Sequence, residues 1–207
     1  MAGDLFGGAT RWERLAVPDA DVRILRSLDL GAPAADVLAQ LLGEVAWRQE
    51  SIVLFGKARL QPRLLAWHGD AGAAYTYSGV RHEPLAWTPL LASLRQSVQA
   101  ATGLAFNSVL LNLYRDERDS MGMHADDEPE LGPEPAIASL SLGEERTLVL
   151  RHRRDRSVRS WRLPLPSGSL LLMQGATQAN WHHGVPKRTV PCGPRVNLTF
   201  RRVGAMR

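Results

Sequence analysis

The chain has 207 residues, is 44% hydrophobic and carries a formal net charge of +4 from 25 Lys and Arg against 21 Asp and Glu, which is typical of one soluble globular domain. It lacks both an uninterrupted apolar stretch of membrane-spanning length and the basic and apolar regions of a secretory signal, so we expect no membrane association. A single cysteine, Cys192, excludes an internal disulfide and suits a reducing compartment, so we expect a cytoplasmic protein.

Two amphipathic helices are predicted in the N-terminal half. The first begins near Pro33, a favourable first-turn residue, and carries an apolar stripe from Val37 to Val45. The second opens at Thr88, which can cap the first turn, and ends at Gly103. Both helices should pack against a sheet, and we assign them no chemistry.

From about residue 104 the sequence changes to short apolar runs bounded by Gly, Pro, Asp or Ser. Such runs predict strands, and their regular spacing is typical of a β-sandwich or barrel, including the jelly roll. A few further strands are expected around "SIVLFGK" and "AAYTYSGV". The predicted fold class is therefore α+β, with a β core in the C-terminal half. The predicted strands of that core lie in 106–114, 136–143, 147–152, 160–165, 169–174 and 195–203.

An arginine-rich segment runs from Arg151 to Arg162 and holds six arginines, one histidine and a single acid. One interpretation is a solvated hairpin. The other is a phosphate-contacting surface, because basic patches supply sequence-independent affinity for nucleic acid.

A metal-binding pattern stands at His124 and Asp126. Two residues apart on an extended segment, their side chains project to the same side. A third ligand is available from the adjacent pair His182 and His183, of which only one can face a site from a strand. Two histidines and a carboxylate that leave other positions open form the facial triad of non-haem iron(II) oxygenases. The alternative is a hydrogen-bonded loop pair and a core histidine.

The last predicted strand has one polar and one apolar face. An exposed edge strand would explain the polar face. Its two arginines instead favour an anionic ligand, because an interior Arg needs a partner and a dicarboxylate offers bidentate pairing. Asn112 and Tyr114 alternate in the same way in "LLNLY" and could complete such a pocket. The polar face consists of Arg195, Asn197, Thr199 and Arg201, and the apolar face of Val196, Leu198 and Phe200.

In this order and spacing, "HADDE", "HHGVP" and "PRVNLTFRR" resemble the AlkB family of iron(II)- and 2-oxoglutarate-dependent dioxygenases, which remove alkyl lesions from nucleic-acid bases. The resemblance extends to "NSVLLNLYRDERDSMGMHADDE" and "IASLSLGEERTLVLRH". Upstream, "LFGKARLQPRLLAWHGDAGAAYTYSG" is similar to the nucleotide-recognition region of the DNA-repair members. The resemblance covers roughly residues 52–203.

This resemblance implies a double-stranded β-helix (jelly-roll) core with N-terminal helices and a nucleotide-recognition lid, all in a single dioxygenase domain. The segments would be an N-terminal extension and helix over about 1–50, the nucleotide-recognition region over about 51–103, and the jelly-roll catalytic core over about 104–203.

The resemblance also implies the cofactors and their ligands. Iron(II) would be bound by His124, Asp126 and His183, where His183 is chosen because it directly precedes "GVP". The co-substrates would be 2-oxoglutarate and O2. The residues that hold 2-oxoglutarate would be Arg195, Tyr114 and Asn197 at its distal carboxylate, Arg201 and Asn112 at the chelating end, and Thr199 in the pocket wall. Arg201 would therefore also count among the catalytic residues.

The expected substrates are bases such as 1-methyladenine and 3-methylcytosine, which carry positive charge. Tyr75 and Tyr77, with Ser78 beside them, would stack on the flipped base. Glu128 would accept a hydrogen bond from its exocyclic amino group, and Asp127 could do the same or support a metal ligand.

Alkylated single- or double-stranded DNA, or RNA, would be the partner of a monomeric enzyme. Phe55 would fill the gap left by the base, while Lys57, Arg63 and the arginine-rich segment would contact phosphates. Three alternatives stay open: the same chemistry on RNA or a protein side chain, a nucleic-acid-binding module without chemistry, and a hydrolytic zinc site.

Overall fold

The computed structural model describes residues 11–54, 57–73, 75–77 and 80–204. Within these ranges, only the backbone is described for residues 52–54, 57, 75–77 and 80–82. The helices are α1 (Ala34–Glu44), α2 (Pro89–Thr102) and the one-turn α3 (Thr177–Asn180). The strands are β1 (Glu13–Leu15), β2 (Asp21–Leu25), β3 (Ser51–Leu54), β4 (Lys57–Leu60), β5 (Leu64–Gly69), β6 (Tyr75–Tyr77), β7 (Val80–His82), β8 (Ser108–Tyr114), β9 (Met121–His124), β10 (Ile137–Gly143), β11 (Arg146–His152), β12 (Trp161–Leu165), β13 (Leu170–Gln174), β14 (Trp181–Val185) and β15 (Arg195–Arg201).

Two antiparallel sheets form the body of the protein. The major sheet has the order β1-β2-β13-β10-β15-β8-β5, and the minor sheet has the order β12-β11-β14-β9. Two separate hairpins, β3-β4 and β6-β7, account for the other strands. The non-sequential strand orders follow from connections that cross between the two sheets, as in a jelly roll.

The major sheet is covered on both faces. Helices α1 and α2 pack on one face through an apolar cluster that includes Leu41, Leu94 and Leu198. The minor sheet packs on the other face through a second cluster that includes Ile137, Leu150 and Trp181. The polar side chains of β15 therefore point between the two sheets.

Both predicted helices are confirmed. Thr88 caps α2 by accepting a hydrogen bond from the backbone N–H of Leu91, and Gly103 ends it with a left-handed φ of 71°. Pro33 precedes α1 but gives it no side-chain cap. Among the described residues, no helix is both long and apolar enough to cross a membrane.

The α+β class and the C-terminal strands are confirmed, and the β core also extends further toward the N-terminus than predicted. β1, β2 and β5 belong to the major sheet, where β2 pairs with β13 and β5 pairs with β8. Part of the segment expected to be an N-terminal extension thus forms one edge of the core sheet. β1 and β2 carry charged residues beside their few apolar ones, and pairing with other strands is what stabilises them.

Candidate active site

Three side chains converge at one end of the sandwich. Nitrogen atoms of His124 and His183 and a carboxylate oxygen of Asp126 all lie within 4.8 Å of one another. Asp126 is central, with Oδ1 3.9 Å from His124 Nε2 and Oδ2 3.8 Å from His183 Nε2. These distances leave room for one ion between the three groups.

The register of β14 decides which histidine enters this site. His183 pairs with Leu150 of β11 on one side and with His124 of β9 on the other. It is buried, whereas its neighbour His182 lies on the opposite face and is partly exposed. Gly184 allows β9 to approach, because a Cβ there would lie 2.9 Å from the carbonyl oxygens of Met121 and Gly122.

Buried charge surrounds Asp126. Its side chain is 2% exposed, and Arg201 Nη2 donates a hydrogen bond to its Oδ1 at 2.6 Å. Burial opposes ionisation, but Arg201, His183 and His124 outweigh it, so the pKa of Asp126 is lowered. The backbone N–H of Asp126 donates to Gln178 Oε1 at 3.0 Å, which fixes the loop after β9.

His183 is suited to bind a metal as a neutral ligand. Burial, with the charges of His124 and Arg201, lowers the pKa of His183 to about 3. His124 Nδ1 lies 3.0 Å from the carbonyl oxygen of Gly122, to which it can donate a hydrogen bond, and Nε2 is the ring nitrogen nearer Asp126.

The polar face of β15 lines a small cavity that the three ligand side chains also line. Arg195, Asn197, Thr199 and Arg201 line it together with Tyr114 and Ser139. Arg195 is 1% exposed, lies 5.2 Å from the centre of the Tyr114 ring, and donates to Ser141 Oγ at 2.8 Å. Burial lowers the pKa of Arg195.

Two serines of β10 belong to this cavity region and were not identified from the sequence. Ser141 accepts from Arg195, and Ser139 accepts from Asn197 Nδ2 at 2.7 Å. In "IASLSLG" the two serines alternate with apolar residues, as the polar residues of β15 do. Serine by itself indicates little, so this pattern does not identify a site from the sequence.

Asn112 and Arg63 occupy positions that the sequence did not suggest. Arg63 is 5% exposed and donates from Nε to Asn112 Oδ1 at 2.8 Å. This guanidinium is buried and borders a cavity next to the candidate metal ligands, and the phosphate contact expected for Arg63 stays a prediction. Asn112 accepts this hydrogen bond from Arg63, and its expected role at the chelating end of 2-oxoglutarate stays a prediction.

A second, larger cavity of about 480 Å³ also borders the candidate metal ligands His124 and Asp126. His124, Asp126 and Arg201 line both cavities. Apolar and aromatic groups such as Leu65 and Trp67 form much of its wall. A molecule in the larger cavity would therefore lie against the candidate metal position.

The residues expected to contact substrate are only partly described. Glu128 lines the larger cavity. Phe55 and Ser78 lie outside the described residues, and Lys57, Tyr75 and Tyr77 lie in strands whose side chains are not described. Asp127 does not face the cavity: its Oδ2 accepts a hydrogen bond from Arg153 Nη1 at 2.6 Å.

The arginine-rich segment lies at the edge of the minor sheet. Its six arginines are exposed, and they sit on the end of β11, the following loop and β12. Arg153 links this segment to the candidate site through Asp127 and the carbonyl oxygen of Gln178.

Unpartnered buried atoms indicate which groups fit this site. Among the described residues, Asp126 Oδ2 and Arg195 Nε and Nη1 have no hydrogen-bond partner. No described carboxylate pairs with Arg195. A cation between the three ligand residues and a carboxylate at Arg195 would satisfy these atoms. The site thus fits iron(II) and 2-oxoglutarate.

Comparison with known proteins agrees with this geometry. The family model of the 2OG-Fe(II) oxygenase superfamily matches residues 23–201. Human alpha-ketoglutarate-dependent dioxygenase alkB homolog 3 is 45% identical over 175 residues, which cover 81% of this chain and 60% of that protein. Human DNA oxidative demethylase ALKBH2 is 42% identical over 181 residues, which cover 83% of this chain and 69% of that protein.

The chain belongs to the AlkB family of the 2OG-Fe(II) oxygenase superfamily. The family uses Fe(II), 2-oxoglutarate and O2. This AlkB-family chain spans about 60% of the length of the first relatives it matches. A solved structure described as "The structure of OsALKBH1" superposes with a TM-score of 0.62 at 17% identity, over 93% of this chain and 100% of that one, and supports the fold.

Proposed function

We propose that this protein removes N-alkyl groups oxidatively from nucleic-acid bases such as 1-methyladenine and 3-methylcytosine. One observation carries the proposal: two cavities of different character meet at His124, Asp126 and Arg201. The polar cavity suits a dicarboxylate co-substrate, and the larger one suits a flat heterocycle. Relatives named as a DNA oxidative demethylase and as alkB homolog 3 support the same activity.

Each residue has a defined task in this proposal. His124, Asp126 and His183 would hold iron(II), and Arg201 would keep Asp126 ionised as a ligand. Arg195, itself held by Ser141, would orient 2-oxoglutarate by its distal carboxylate. With the cofactors bound, the chemistry supplied is oxidative decarboxylation of 2-oxoglutarate to succinate and CO2, with one oxygen atom inserted into a C–H bond of the N-alkyl group.

The rest of the reaction needs no acid or base from the protein. An N-hydroxymethyl product loses formaldehyde when its O–H proton leaves and the C–N electron pair returns to the base nitrogen. The apolar wall formed by Leu65, Trp67 and Leu110 would exclude water from the bound base. The target base must leave a duplex stack, or already be single-stranded, to reach this cavity.

The partner proposed here is alkylated DNA, in single or double strands, with RNA as the second candidate. The exposed arginines between Arg151 and Arg162 would contact the phosphates. We further propose that the protein acts as a monomer in the cytoplasm, in keeping with its one cysteine.

Formaldehyde release from a single-stranded DNA oligonucleotide that contains 1-methyladenine tests the proposal. Release should require iron(II), 2-oxoglutarate and O2 together. His183→Ala should abolish it, while the matched variant His182→Ala should retain most of it. Turnover of a methylated RNA but not of the DNA would move the substrate to RNA. Absence of turnover on either, with 2-oxoglutarate still bound, would refute base dealkylation.

A further inference from the structure

Gln61 stands out among the residues that line the larger cavity. It follows β4 directly and is 1% exposed. Its backbone is fully engaged, since its N–H donates to the carbonyl oxygen of Glu50 at 2.8 Å and its own carbonyl oxygen accepts from Gln49 Nε2 at 2.9 Å. Its side-chain Oε1 and Nε2 have no hydrogen-bond partner among the described residues.

This isolation requires an explanation, because a buried amide left without partners costs about 1–3 kcal/mol. Arg63 lines the same cavity, but unlike Gln61 it has partners, since its side chain donates hydrogen bonds to Asn112 Oδ1 and to the carbonyl oxygen of Ser120. Apolar neighbours such as Leu65 and Leu110 cannot bond an amide. A polar edge on a bound molecule would satisfy both atoms of Gln61.

We propose that Gln61 is a specificity-determining residue that hydrogen-bonds to the exocyclic group of the flipped base. This proposal rests on the proposed function. An amide carries both an acceptor oxygen and a donor NH2, and a half-turn about its last torsion exchanges their positions. Gln61 therefore accepts from an amino-bearing base and donates to a carbonyl-bearing base.

The consequence is a broad lesion range. The cationic lesions 1-methyladenine and 3-methylcytosine present an amino group beside the methylated nitrogen, whereas the neutral lesion 3-methylthymine presents carbonyl oxygens. A carboxylate in place of the amide would accept only, so it would retain the amino-bearing bases and repel the carbonyl-bearing ones. Gln61 thus adds a hydrogen-bond donor to a cavity that Glu128 also lines, so that one pocket can serve both classes.

The test compares kcat/KM on oligonucleotides that contain 1-methyladenine or 3-methylthymine. Wild-type protein should turn over both. Gln61→Glu should keep kcat/KM for 1-methyladenine and reduce kcat/KM for 3-methylthymine by about tenfold or more. The ratio of the first value to the second, the lesion ratio, should therefore rise. Gln61→Met should reduce both by roughly threefold to tenfold and leave their ratio nearly unchanged.

Gln40→Glu is the matched control, because it makes the same change on the exposed face of α1 and should leave the ratio at the wild-type value. The thermal midpoint and the affinity for 2-oxoglutarate confirm that each variant is folded. If Gln61→Glu does not fold, Gln61→Met tests the proposal instead. Equal reductions of kcat/KM on both lesions would support the proposal, and unchanged kcat/KM on both would overturn it.

An unchanged lesion ratio in folded Gln61→Glu protein would overturn the proposal, as would a wild-type enzyme that turns over 1-methyladenine but not 3-methylthymine. If the wild type turns over neither, the proposed function fails. Gln61 is then tested by the anaerobic affinity of wild type and Gln61→Glu for the two oligonucleotides, with Mn(II) as the metal. A change in the affinity ratio supports the role of Gln61, and an unchanged ratio rejects it.

Discussion

Arg201 Nη2 donates a hydrogen bond to Asp126 Oδ1 at 2.6 Å, and both side chains are at least 96% buried. Arg201 is the last residue of β15, which lies inside the major sheet, and Asp126 follows β9 of the minor sheet. This ion pair thus joins the two sheets next to the candidate metal position. It also keeps Asp126 negatively charged despite its burial.

Removing Arg201 should destabilise the protein more than loss of a surface charge would. Arg201→Leu leaves Asp126 buried without its partner, which costs about 3–5 kcal/mol of unfolding free energy. Arg202→Leu changes the neighbouring exposed arginine and should cost about 0.5 kcal/mol or less. Urea unfolding of the metal-free variants measures both values, and equal values would contradict the proposed importance of the ion pair.

The two adjacent histidines should differ sharply in metal binding. His183→Ala removes one of three ligands and should weaken Mn(II) binding by about 100-fold or more. His182→Ala alters a residue on the opposite face of β14 and should change the affinity by less than about twofold. Titration followed by electron paramagnetic resonance of free Mn(II) measures this. The reverse ranking would assign the ligand to His182.

Arg195 should be needed for its geometry as well as its charge. Arg195→Lys keeps the charge but loses the planar fork, so the KM for 2-oxoglutarate should rise by about tenfold or more, while the Mn(II) affinity stays unchanged. Arg162→Lys makes the same change at an exposed position of β12 and should leave KM unaltered. Steady-state kinetics with varied 2-oxoglutarate provides the measurement, and an unchanged KM for Arg195→Lys would reject its co-substrate role.

The metal-free protein should lose stability between about pH 6.5 and pH 5. The pKa of His183 is about 3 in the folded protein and about 6.5 when unfolded, so only the unfolded state takes up a proton in this range. The free energy of unfolding should therefore fall as pH falls, with a slope from this residue that grows from about 0.7 kcal/mol per pH unit near pH 6.5 to about 1.4 kcal/mol per pH unit near pH 5. Urea unfolding at several pH values measures the slope.

His183→Asn provides the control for that slope, because it removes the titrating group and leaves the other histidines in place. Its unfolding free energy should depend less on pH than that of the wild type over the same range. Identical slopes would show that His183 does not titrate on unfolding.

The exposed arginines between β11 and β12 should contribute to nucleic-acid affinity through charge. The variant replaces Arg154, Arg156 and Arg159 by Ala. The slope of the logarithm of the single-strand binding constant against the logarithm of the salt concentration should become shallower by about 0.7 for each phosphate that the variant no longer neutralises. Fluorescence anisotropy over a range of salt concentrations measures the slope.

The matched control replaces three exposed arginines near β1 and β2, namely Arg14, Arg23 and Arg26. This variant has the same net charge as the first. If both variants reduce the slope equally, net charge rather than a defined surface explains the binding.

The sequence by itself determined the local features of this protein. The stripe of α1, the cap residues of α2 and the alternation of β15 each depend on neighbours in the chain, and all three are present in the fold. The order of "HADDE", "HHGVP" and "PRVNLTFRR" was sufficient to indicate the family, because such spacing rarely arises by chance.

Only the tertiary structure decided which side chains meet. Arg63 has the sequence pattern of a surface cation, and only the fold shows its burial against Asn112, while Gln61 gave no signal in the sequence at all. β1 and β2 lack a clear apolar pattern in the sequence, because charged residues stand beside their few apolar ones and pairing with other strands stabilises them. The placing of His183 inward and His182 outward likewise depends on the register between β14, β9 and β11, which long-range pairing fixes.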